Sequence, residues 1–230
     1  MIFAKPLQFD EALKFARSKQ LLPTNLSSAE LRELDAALKQ RSAFSARVTD
    51  GGFIDRFDKL VEKIAGGPDE SDFEERLAGR KPLLMSIPEA KAQLRQYLDE
   101  IGYAPENPDD EGTVKDLRTD LRLQLIVETN TLDTLGFGRW AASQNTVTLD
   151  AYPAWELVRM RFSKVPRDWE ERWEAARRAT VEDGATPPGG RLIALKNHPI
   201  WLALGEGAGG FTDTLGNPWP PFAFNSGMNV

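Results

Sequence analysis

Cysteine is absent from this chain, and histidine occurs once, at position 198. Without cysteine there is no disulfide framework and no thiolate metal site, and a reducing cytosol is a compatible setting. With one histidine, a multi-histidine metal centre is excluded as well, and schemes that need a histidine base have a single residue to draw on. Long apolar runs are also missing: no window approaches the roughly 18 uninterrupted residues that a membrane helix needs. The opening MIFAKPLQFDEA lacks a basic stretch followed by an apolar one, so neither export nor membrane insertion is expected. Positive charge is in deficit. The formal net charge of -6 argues against a dedicated nucleic-acid binder, which normally carries a clustered basic surface.

What is present is a soluble, globular composition: 230 residues, 41% hydrophobic and 28% charged, enough for one good-sized core or two small ones. All six tryptophans lie between Trp140 and Trp219. The second half therefore carries most of the rigid aromatic surface, and the first half reads as helix.

In the first half, Ser27 and Glu30 have capping-box spacing ahead of a helix through AELRELDAALKQRSAFSARV, with Leu31, Leu34, Leu38 and Ser45 on one face. A second helix carries Phe53, Phe57, Leu60 and Ile64, between Gly51-Gly52 and Gly66-Gly67-Pro68. A third follows Ser86, with Pro88 in its first turn and Leu94, Leu98 and Ile101 as its buried stripe. Residues 69–77 suggest a weaker one. The acidic, proline-bearing PENPDDEG suits a linker. The expected organisation is a helical domain over 1–104, a linker over 105–112, and a small α+β domain over 113–230, mainly α overall.

The second half opens with a long helix whose apolar residues are Val114, Leu117, Leu121, Leu125, Leu132 and Leu135, interrupted by Glu128, Thr129, Asn130 and Thr131. Those polar residues imply a packing contact or a kink, and Gly136 and Gly138 permit close approach by another element. Residues 157–162 and 191–195 read as partner strands, with a turn at Pro187 to Gly190 between them. A short helix starts at Pro166 and Asp168 and runs through Arg178.

Three motifs have plain explanations. GEGAGG at 205–210 has the spacing of a dinucleotide loop but lacks the preceding strand and following helix, and reads as a flexible loop. His198, between Asn197 and Pro199, reads as an exposed or hydrogen-bonded turn residue. Asp168, Glu170, Glu171 and Glu174 complement a helix N-terminus and pair with Arg172 and Arg178. The same stretch is also the most basic of the chain.

The order RLQLIVETNTLDTLGFGRW, AWELVRMRFSKVPRDWEERW, RLIALKNHPIW and PPFAFNSGM resembles the head-morphogenesis domain of tailed phages, the Mu F-like minor head proteins. That family combines a helix of acidic and small polar residues ending in glycine, a short strand leading into arginines, and a closing proline-rich loop. The matching stretches here are Leu125 to Gly138, Trp155 to Arg167 and Pro220 to Met228. The chain departs from the pattern where Trp169 or Trp173 stands near a frequent histidine, and where Ser226 and Gly227 replace a cysteine-containing ending. The resemblance implies a non-enzymatic portal-proximal protein of the virion, assembled in the host cytoplasm, with portal and capsid proteins as partners, DNA as a further contact, and no cofactor, metal or membrane. The first half would be a variable helical arm.

Two interaction surfaces are expected. Trp155, Arg159, Arg161, Arg167, Trp169, Arg172 and Trp173 form one; Trp219, Phe222 and Phe224 form the other, unless they pack into the core. The competing readings are a hydrolase using Glu128 with a polar neighbour, and a nucleic-acid adaptor using the basic stripe 159–178.

Overall fold

The computed structural model describes residues 10–34, 38–39, 42–43, 45–66, 85–160, 166–180, 190–224 and 226–230. Its elements are α1 (Asp10–Ser18), β1 (Gln20–Leu21), α2 (Ser28–Glu33), β2 (Ser42–Ala43), α3 (Gly51–Gly66), α4 (Ile87–Glu100), a 3-10 turn (Pro108–Asp110), α5 (Asp120–Ser143), α6 (Thr146–Ala151), β3 (Ala154–Glu156), β4 (Val158–Arg159), α7 (Trp169–Ala179), β5 (Ile193–Leu195), α8 (Ile200–Glu206) and β6 (Met228–Asn229). The protein is mainly helical with short strands, as expected. The chain forms two compact units, one from residues 1–26 and 42–135, the other from 27–41 and 136–230. The division thus falls inside α5, and residues 105–112 lie within the first unit instead of separating two domains. That stretch is held locally: Lys115 Nζ binds Asp110 at 3.0 Å, and the Asp116 carboxylate accepts the Gly112 N–H at 3.1 Å.

The first unit is built on α3 and α4. Phe53, Ile54, Phe57, Leu60 and Val61 of α3 pack with Ala90, Leu94 and Leu98 of α4, joined by Leu117, Leu123, Ile126 and Val127. Ser86 caps α4 by accepting the Glu89 N–H at 3.2 Å, and Pro88 occupies its first turn. Ile101, expected in the stripe, is 45% exposed because the helix has ended and the chain turns through Gly102. The capping box of α2 forms in both directions between Ser27 and Glu30. The long helix expected after it does not: α2 ends at Glu33, and Ser42–Ala43 instead pair in parallel with Gln20–Leu21. The weak helix read at 69–77 lies outside the described residues.

In α5 the leucines misled. Leu121 is 66% and Leu132 43% exposed, while Leu123, Ile126, Val127, Thr131 and Thr134 are buried. Leucines lie all round this helix, so their spacing alone does not mark the inner face. The polar residues cause no break. Asn130 Nδ2 donates back to the Ile126 carbonyl at 2.8 Å, and the threonines turn inward. Arg122 of the same helix donates to Ser45 Oγ at 2.9 Å and to the Ala46 carbonyl at 2.7 Å, fixing the turn that follows β2.

One charge cluster in this unit is out of balance. The Lys19 side chain is only 4% exposed, and its ammonium binds Asp133 at 3.1 Å. Asp58 on α3 shares the field of that ammonium, with Glu62, Asp55 and Lys59 also acting on it. Burial, opposed by Lys19 and reinforced by Glu62 and Asp55, raises the Asp58 carboxyl to about 6. A group whose folded value lies above its unfolded one binds the extra proton in the folded state. Its ionisation therefore costs stability as pH rises from about 4 to about 6. We expect Asp58→Asn to stabilise the first unit at pH 7.5, by on the order of 1 kcal/mol after solvent screening, with the gain vanishing near pH 4. Hydrogen exchange of the α3 amides in both proteins at the two pH values measures this; a gain equal at both would attribute the effect to packing instead of charge.

Candidate functional site

The second unit collects the residues that the sequence marks for interaction. Its core is aromatic. Trp201 of α8 meets Trp155 of β3 edge-on at 5.7 Å, Trp173 of α7 at 5.4 Å, and Phe222 of the closing segment in a stack at 5.8 Å. The Trp201 indole N–H donates to the Leu195 carbonyl at 2.8 Å, which gives its polar atom a partner inside the core. Leu157, Trp169, Ile200, Leu204, Ala223 and Met228 complete the cluster.

Two short antiparallel pairs close over it. Ala154–Glu156 pairs with Ile193–Leu195, and Val158–Arg159 with Met228–Asn229. Of the stretch read as a strand over 157–162, Val158–Arg159 alone is strand among the described residues, and it pairs with Met228–Asn229; the partner expected for it, within 191–195, pairs instead with the preceding Ala154–Glu156, Leu157 between the two strands donating its N–H to the Leu192 carbonyl at 2.8 Å. The end of the helix α5 also touches the closing loop. A side chain at Gly136 would overlap the Pro220 carbonyl oxygen, so this glycine lets helix and loop meet backbone to backbone. Beside that contact, Phe137, Trp140 and Trp219 form a triangle with ring separations of 5.1 to 5.8 Å.

The arginines converge on an acid that the sequence reading did not single out. Asp213 accepts Arg167 Nε at 2.6 Å and an Arg172 guanidinium N–H at 2.8 Å. Arg167 also donates to the Phe224 carbonyl at 2.6 Å, and Arg159 to the Arg167 carbonyl at 3.2 Å. The Arg172 guanidinium lies 4.3 Å from the Phe211 ring centroid and 5.2 Å from that of Trp169. Burial alone would push the Asp213 carboxyl up, but Arg172 and Arg167 outweigh it and hold the group below the usual carboxylate range. Nothing in the spacing of FTDTLGN announces this role, since the arginines lie more than forty positions away.

The first expected surface is therefore corrected. Trp169, Arg172 and Trp173 are buried, Trp155, Arg159 and Arg167 are half-buried, and Arg161 lies outside the described residues. The second largely is too: Trp219 and Phe222 belong to the interior, and Phe224 is exposed at 37%. Arg172 serves Asp213 and not a neighbouring acid of α7, where Glu174 pairs with Arg177 instead. Asp168 does cap α7, accepting the Glu171 N–H at 2.9 Å.

His198 is buried and not exposed; its Nδ1 accepts the Ile200 N–H at 3.0 Å, which closes the turn into α8. The glycine-rich run forms the end of α8, where Gly207 adopts a left-handed cap with φ 79 and a side chain at Gly205 would overlap the Asn217 carbonyl oxygen. A helix C-terminus carries partial negative charge, the wrong sign for a phosphate. Glu128 and Asn130 belong to the first unit and His198 to the second. Among the described residues there is no group of three or more histidine or acidic residues placed to hold a metal ion, and no helix is long and apolar enough to cross a membrane.

The chain matches no protein-family model, no curated protein and no solved structure.

Asp213→Asn tests the clamp. Removing the charge leaves two arginines facing a neutral amide, and we expect a loss on the order of 2 kcal/mol at pH 7. A carboxyl held below its unfolded value contributes stability above about pH 4 and loses it as pH falls through the folded value, so the variant and the native protein should converge in acid. Tryptophan fluorescence during urea unfolding reports this unit selectively, because all six tryptophans lie in it. Equal midpoints at pH 7 would sink the clamp.

Proposed function

We propose that this chain is a structural, non-enzymatic protein of the tailed-phage head, acting near the portal during capsid assembly in the host cytoplasm and retained in the virion. Its partners are the portal and capsid proteins. The observation that carries this reading is that the glycine end of the first stretch, Gly136–Gly138, and the other two stretches which resemble the phage minor head family meet within the second unit, residues 125–135 of the first stretch lying in the first unit. Gly136, in the helical stretch, lies against the Pro220 carbonyl of the closing loop. Val158–Arg159, from the strand stretch, pairs with Met228–Asn229 at the end of that loop. Arg167, at the end of the arginine stretch, donates to the Phe224 carbonyl within it. Contacts between segments more than fifty residues apart in sequence thus join parts of all three stretches.

DNA contact has less support than a protein partner. Of the basic stripe, Arg167 and Arg172 are spent on Asp213, and Arg177 on Glu174. Phosphate contacts need positive groups that are available to the solvent face, and neutralised ones contribute little to a phosphate-attracting field.

Tagged full-length protein recovered from infected or induced cells should retain portal and capsid proteins, identified by mass spectrometry. Recovery of neither, together with a monomer in solution, would overturn the virion reading.

A further inference from the structure

We draw no further inference here: the strongest candidate, the stripe of Leu121, Leu125, Leu132 and Leu135 along the outer side of α5, where Leu121 and Leu132 are exposed and Leu125 and Leu135 half-buried, is an apolar helix face, and nothing in the structure shows what covers it.

Discussion

The second unit depends on the surroundings of one indole. Trp201 touches β3 through Trp155, α7 through Trp173 and the closing segment through Phe222, and its N–H is answered by the backbone at Leu195. Strands of two or three residues cannot hold a sheet by their ladders alone. Cysteine is absent, so no covalent staple substitutes for them. Large aromatic rings supply the missing cohesion, since each buries as much surface as two or three aliphatic side chains and adds oriented ring contacts. The concentration of tryptophan in this half is thus first a consequence of how little regular structure it contains.

The same economy governs the arginines. A guanidinium that is planar, always charged and able to stack is suited to a half-buried position where Lys would lose its water without matching geometry. Arg172 uses all of these properties, lying against Trp169 and Phe211 while binding Asp213. Arg167 carries the same carboxylate to the closing segment through the Phe224 carbonyl. A basic stripe in the sequence has become an internal brace, and the electrostatic surface offered to partners is correspondingly weaker than the residue count implies.

Where the fold was legible in the sequence, the signal was local. The capping box at Ser27, the Ser86 cap with Pro88, and the Asp168 cap each announced a helix start, because a cap is set by residues three positions apart. The close-approach role of Gly136 was readable in outline for a similar reason. Long-range choices were not readable. The pairing of Ser42–Ala43 with Gln20–Leu21 overrides a helical pattern, and the inner face of α5 is decided by what packs on it, not by its leucine spacing. The site suffered most. Tryptophan and arginine are typical of interfaces and equally of small aromatic cores, and only the position of Asp213, set by the loop after α8, decides between them here.

Two aspartates show how far environment governs charge. Asp213 and Asp58 are both partly withdrawn from water, and in each case desolvation is the largest influence on the carboxyl. Asp213 has two guanidinium groups in direct hydrogen-bond contact, and the balance turns toward the ion. Asp58 has only the fields of Lys19, whose ammonium is bonded to Asp133, and of Lys59, whose ammonium is bonded to Asp55, while the neighbouring Glu62 and Asp55 oppose ionisation. The balance there turns toward the neutral acid. Acidification consequently strains the second unit, where a braced carboxylate is neutralised, while it relieves the first, where a crowded one is. Because the two responses arise in separate compact units, each is open to measurement within its own unit.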